Sequence, residues 1–118
     1  MRDFKKYEVW QNAHQLTLFV YKEILPLFPK SEQFELASQL KRAVYSIPLN
    51  IAEGYGRNSD VDFCRFLDIA LGSVHEVEYC ILLANDLAYL RLAEHDKVLL
   101  LLSPVKAKLI NLIKTLRR

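Results

Sequence analysis

Between Phe63 and Leu87, apolar side chains return every three or four residues and no proline interrupts them. Phe63, Phe66, Leu67, Ala70, Val74, Val77, Ile81, Ala84 and Leu87 trace one seam, the repeat of an α-helix. Ile69, Leu71, Tyr79, Leu82 and Leu83 spread well beyond that seam. A helix apolar over most of its girth is buried on more than one side. Ser59-Asp60-Val61-Asp62 approximates a capping box that would open it, with Asp in the usual place of Glu.

Three further segments carry the same period. Val9, Ala13, Leu16, Val20, Ile24 and Leu27 predict a first helix from near Tyr7 to between Leu25 and Phe28, where Pro26 and Pro29 end it. Trp10, Leu18, Phe19 and Tyr21 lie off its seam. Ser31 reads as the N-cap of a second helix starting at Glu32, with Phe34, Ala37, Leu40, Val44, Ile47 and Ile51 inward. Inside it, Pro48 should bend the helix and free the Val44 carbonyl, which then needs another donor if buried. Gly54 and Gly56 would supply permissive backbone for the stop. A fourth helix is expected from Glu94 to Leu116, with Val98, Leu102, Val105, Leu109, Leu112 and Leu116 inward and a kink at Pro104. Only three Gly and four Pro are available for turns in 118 residues. The prediction is an all-α chain: an antiparallel up-down-up-down four-helix bundle forming a single domain over residues 1–118. Surplus apolar girth on the first, third and fourth helices predicts self-association.

Several function classes are disfavoured. No stretch approaches the roughly 18 uncharged apolar residues of a membrane span, and no apolar run follows the charged N-terminus, so a soluble cytoplasmic protein is expected. Cys64 and Cys80 fall on one helix, roughly 24 Å apart at 1.5 Å per residue, too far to pair within the chain. Gln11, Gly72 and Leu92 precede His14, His75 and His95 by three, so the Glu-x-x-His pairs of a bundle metal site are missing. His75 and Cys80 fall on different sides of their helix, and Gly54-Tyr55-Gly56 lacks the strand and helix context of a dinucleotide fingerprint. No enzyme activity, metal or cofactor is expected.

Two features remain for function. Gln39, Arg42, Ser46, Asn50, Glu53 and Arg57 form a polar line at helical spacing, and Arg65, Asp68, Gly72, Ser73 and Glu76 form a companion on the third helix. If the lines meet, Arg42 or Arg57 would pair with Glu76, Asp68 or Glu53. The result is either a polar network fixing helix register or a binding pocket. The second feature is charge. All 14 acids lie in residues 1–96, whereas Lys97, Lys106, Lys108, Lys114, Arg117 and Arg118 follow with no acid among them. That segment either offers phosphates a basic patch or complements a helix dipole.

A family likeness rests on specific strings. Tyr7-Glu8-Val9-Trp10-Gln11, Phe28-Pro29-Lys30, Gln39 to Arg42, Ser46-Ile47-Pro48, Asn50 to Arg57 and Ala70-Leu71-Gly72-Ser73 occur in order between Phe4 and Leu90. Together they closely resemble the 23S rRNA intervening-sequence protein family, small bacterial four-helix bundles of which some are encoded within insertions in the large ribosomal RNA gene. The chain is also similar to accessory proteins of diversity-generating retroelements, which form rings and associate with nucleic acid and a reverse transcriptase. The resemblance implies a homo-oligomeric ring, a pentamer, and a partner that is either ribosomal RNA or another nucleic acid, or a protein. It draws attention to Gln39, Arg42, Ser46, Pro48, Asn50, Glu53, Gly54, Tyr55, Gly56, Arg57, Gly72, Ser73 and Glu76. Leu71 stands where the family often has a basic residue. The expectation is a non-enzymatic oligomeric protein that binds structured RNA through basic surfaces including Lys106, Lys108 and Lys114, or alternatively a scaffold ring that recruits a partner enzyme without touching RNA.

Overall fold

The computed structural model describes residues 2–118. A 3-10 turn, Phe4–Lys6, leads into α1, Glu8–Phe19, which continues through a π-helical turn, Val20–Ile24, and a 3-10 turn, Leu25–Leu27. A further 3-10 turn, Lys30–Glu32, precedes α2, Leu36–Tyr55; α3 is Asp60–Asp86 and α4 is Leu92–Leu116. No strand occurs among the described residues. α2 packs on α3, α3 on α4, α4 on α1 and α1 on α2, so the helices enclose a four-sided bundle of 43 × 24 × 21 Å. Gln39 meets Glu76, Ser46 meets Ser73 and Tyr55 meets Phe63 across the α2–α3 seam.

The apolar lines largely become the core. Leu16, Val20 and Ile24 of the first helical segment, Leu40, Val44, Ile47 and Ile51 of α2, Leu67, Val74 and Ile81 of α3, and Val98 and Leu109 of α4 are sealed from solvent. Three expectations fail. Phe34 is 83% exposed, Leu87 is exposed, and Ile113 takes the buried position at the end of α4 while Leu112 and Leu116 are half-buried.

The start of α2 explains the first failure. Glu35 leaves helical backbone, at φ −115° and ψ −105°, so α2 begins at Leu36 and Phe34 lies outside it. Ser31 caps nothing. Instead the Glu32 carboxylate accepts the Leu36 N–H at 3.4 Å, and its other oxygen accepts the Tyr89 hydroxyl at 2.9 Å. A side chain anchored from the α3–α4 turn reaches the first amide of α2, and the Ser31 hydroxyl lies too early in the chain to do so.

Leu87 is turned out by the ending of α3. Ala88 adopts φ 62°, the left-handed conformation usual for glycine at this place. Its N–H bonds to Asn85 O and the Tyr89 N–H to Ala84 O, both at 2.9 Å, which closes the helix at Asp86. At the other end of α3, Ser59 Oγ accepts the Asp62 N–H at 3.2 Å, the expected cap. α4 starts at Leu92, two residues before the expected Glu94.

Pro48 lies in α2 without ending it, because the Val44 carbonyl finds a donor from outside. The Thr17 hydroxyl of α1 is 3.3 Å from Val44 O and 2.8 Å from Ala13 O, sharing its proton between them. Pro104 likewise frees the Leu100 carbonyl, but Leu100 is exposed and water can serve there. The glycines act differently from the expectation. None has positive φ, so conformational freedom is not what the α2 stop requires. A Cβ on Gly54 would stand 2.8 Å from Phe63 Cδ1: the residue is glycine so that α2 and α3 can touch.

Candidate functional site

The polar line of α2 does meet α3, but through short side chains. The Gln39 amide donates to Glu76 Oε2 at 3.1 Å. Buried Ser73 donates its hydroxyl to Ser46 Oγ at 2.9 Å. Asn50 Nδ2 donates to Ser46 O at 2.8 Å and to Ser46 Oγ at 2.9 Å. Ser46 is therefore the centre of a three-residue network that joins the helices, its hydroxyl oxygen accepting from both Ser73 and Asn50. Such networks fix register.

The longer charged residues behave otherwise. Arg57 pairs with Glu53 at 3.1 Å, within one turn of its own segment. Asp68 is taken by Arg117, the residue that follows α4, and Arg42 makes no ion pair among the described residues. The anticipated pairing of Arg42 with Glu76 or Asp68 is therefore absent. Arg42 instead lines a hollow of about 150 Å³ with Gln39, Ser46, Ser73 and Glu76. A groove of about 340 Å³ adjoins it, walled by Gln39, Gly72, His75, Glu76, Tyr79 and Cys80. His75 and Cys80, expected on different sides, thus share one groove. Burial pushes the Cys80 thiol up, and the nearby Glu76 carboxylate pushes it further, which keeps it protonated and unreactive. No group of three or more His, Cys, Asp or Glu is placed to hold a metal among the described residues.

Tyr55 belongs to the packing and not to the polar line. Its ring is buried, stacked on Tyr7 at 4.0 Å and tilted against Phe63 at 4.7 Å. Burial, with Tyr7 adding and Arg2 opposing, pushes its hydroxyl up to about 12.

The basic segment is partly neutralised within the chain. Lys106 bridges both oxygens of Glu78 at 3.0 and 3.1 Å, Lys108 lies 3.7 Å from Glu8, and Arg117 holds Asp68. Lys114 and Arg118 face solvent without an acid partner among the described residues.

A family model described as 23S rRNA-intervening sequence protein matches residues 5–111. The chain belongs to that family. A solved structure agrees in fold: a protein of unknown function from the S23 ribosomal protein family of Bacteroides thetaiotaomicron superposes with a TM-score of 0.82 at 23% identity, over 90% of this chain and 98% of that one. None of the curated proteins compared with the chain matches it. No helix of this family member is long and apolar enough to cross a membrane among the described residues.

Three residues matter more than the sequence suggested. Thr17 serves Pro48, and nothing in the α1 pattern points to that pairing. Arg2 donates from Nε to Tyr55 O at 3.2 Å and from Nη2 to Arg57 O at 3.0 Å, placing a cation on the carbonyl end of α2. Gly72 is exposed in the middle of α3, and a Cβ there would meet nothing within 4 Å. An Ala would fit, and nothing inside the chain explains the glycine.

Proposed function

We propose that this is a non-enzymatic, self-associating binding protein of the bacterial cytoplasm that contacts structured RNA through basic surfaces. The observation that carries the assembly is Gly72. A glycine in the middle of a helix costs about 1 kcal/mol relative to Ala, and no contact within the chain requires it. Ile69 at 43% and Tyr79 at 60% exposure flank it on the same face. Close approach of a second chain over this groove accounts for both the missing Cβ and the uncovered apolar side chains.

The opposite, α1–α4 side carries a different hollow, where Leu18, Phe19 and Leu101 stand among Gln15, Lys22, Glu23 and Lys97, with Leu99 and Leu100 exposed on α4. Two unlike patches on opposite sides favour head-to-tail contacts that close into a ring over a two-fold dimer. A pentamer is the ring size implied by the family likeness. The falling α3 numbers opposite rising α2 numbers, from Gln39 with Glu76 to Tyr55 with Phe63, support an antiparallel up-down-up-down order. We read residues 1–118 as a single domain.

The RNA half of the proposal rests on the family description and on the cations that keep free donors. A titration of the purified protein against ribosomal RNA fragments tests it. Phosphate contacts predict binding that weakens steeply between about 50 and about 200 mM salt; no binding at the lower salt would refute it. A second reading, a scaffold ring that recruits a partner enzyme such as a reverse transcriptase, is favoured by the pairing of Lys106, Lys108 and Arg117 with Glu78, Glu8 and Asp68. It predicts that reversing charge at Lys106, Lys108 and Lys114 leaves partner capture intact.

A further inference from the structure

We infer that the end of the bundle built by the N-terminal segment and the α2–α3 turn, centred on Arg2, Arg57 and Arg65, holds a single-stranded nucleic-acid segment. This rests on the nucleic-acid reading above, and it moves the contact from the stretch of α4 that carries Lys106 and Lys108 to one end of the bundle.

Three guanidinium groups converge on two phenyl rings there. The Arg2 group lies 4.7 Å from the centre of Phe63, and those of Arg57 and Arg65 lie 4.5 and 4.7 Å from the centre of Phe66. Arg2 and Arg57 are hydrogen-bonded inside the chain, Arg65 is well exposed, and each keeps donors to spare. A guanidinium has five N–H groups. Arg2 directs its contacts to two carbonyls, Arg57 spends one nitrogen on Glu53, and Arg65 stands 3.8 Å from Asp62 through Nε. Arg2 and Arg57, held by those bonds with N–H edges still free, lose less side-chain entropy when a phosphate arrives than an untethered arginine would.

An apolar hollow of about 360 Å³ opens beside them. Phe4, Leu49, Ala52 and Gly56 line it together with Arg2, Arg57 and Glu53. Its size suits a nucleobase, whose faces are apolar and whose edges carry donors and acceptors. Lys5 and Lys6, exposed in the adjoining turn, make no ion pair among the described residues. Lys114 and Arg118 reach the same end, because the α4 C-terminus lies against the first turns of α3 through Cys64 to Ile113 O and Asp68 to Arg117. Of the acids at this end, Asp68 and Glu8 face Arg117 and Lys108, Glu53 and Asp62 face Arg57 and Arg65 themselves, and Asp3 and Asp60 face no cation among the described residues. An acidic peptide would satisfy the cations and leave the hollow empty. A phosphodiester chain with bases satisfies both.

The test is fluorescence anisotropy of the full chain with a labelled oligouridylate dodecamer across a salt series. The double variant Arg57→Gln/Arg65→Gln should bind about tenfold or more weakly, with the slope of log K against log salt reduced by about 0.7 for each lost phosphate contact. Lys106→Gln/Lys108→Gln should change affinity less than about twofold, since neither lysine lines the hollow or lies over Phe63 or Phe66. Polyglutamate should not displace the oligomer. Should the double variant melt early, the single variant Arg65→Gln, on a well-exposed side chain, decides by its salt slope. Unchanged affinity in the Arg variants, or displacement by polyglutamate as readily as by unlabelled oligomer, overturns the site. If ribosomal RNA fragments still bind in that case, the nucleic-acid reading survives without it. If wild-type protein binds neither probe, both fall.

Discussion

At the scale of single residues, the family's Gly-Tyr-Gly string separates into three unlike jobs. Gly54 exists for contact: its missing Cβ leaves room for Phe63, which is itself confined by Tyr55. Gly54→Ala should therefore destabilise by about 1–3 kcal/mol, the cost of overpacking a fixed neighbour. Gly56→Ala, where the nearest atom is 3.4 Å away and φ is −86°, should stay within about 0.5 kcal/mol. Denaturant melts of the two variants check the contrast. Tyr55 provides a second test, in pH. Its hydroxyl holds its proton more tightly in the fold than the ordinary value of 10.0, up to about 12, mainly because it is buried. A raised value means stability present below pH 10 that is lost as pH climbs toward 12. Tyr21 and Tyr89 are raised in the same direction. Tyr55→Phe should flatten, without abolishing, the alkaline fall in melting temperature; an unaltered fall would place the titration elsewhere.

At the scale of elements, α2 shows how a helix survives an internal proline. The lost Pro48 N–H leaves the Val44 carbonyl without its partner, and Thr17 of α1 supplies a replacement proton. Thr17→Val removes that donor while keeping the shape, and should cost about 1–2 kcal/mol, the penalty of a buried acceptor left unpaired. In a Pro48→Ala background the backbone N–H returns, so the same change should cost clearly less. Additive costs in a double-mutant cycle would show that the two positions are not coupled. The need for a donor was legible in the sequence, since Pro48 stands four residues after Val44. The identity of the donor was not, because Thr17 is brought there only by tertiary packing. The start of α2 was misread for a related reason: Ser31 has the right chemistry for a cap, but Glu32, tied to Tyr89, has the right position. Helix ends depend on neighbours that periodicity does not reveal.

At the scale of the whole molecule, the four apolar lines were enough to predict four helices and most of the core. The seams of α1 and α3 survive almost intact because each repeats over many turns, whereas Phe34 and Leu87 failed at element ends, where one turn decides. The functional layer was less legible. The polar line is real, but its centre is a Ser46, Ser73 and Asn50 network, and of its charged members Arg57 pairs with Glu53 and lies over Phe66 while Arg42 pairs with no acid among the described residues. The basic segment of α4 loses part of its charge to acids far away in sequence, which a count along the chain cannot register. The open α2–α3 face, with exposed Gly72 at its middle, is the feature on which the proposed self-association rests.

Self-association over that face is therefore the claim to test first, by light scattering on a sizing column at micromolar concentration. Wild-type protein should elute at a whole-number multiple of 13.8 kDa, five for the expected ring, and Gly72→Leu should break it down to smaller species that remain helical. A wild-type protein that runs as a 13.8 kDa monomer would contradict the account.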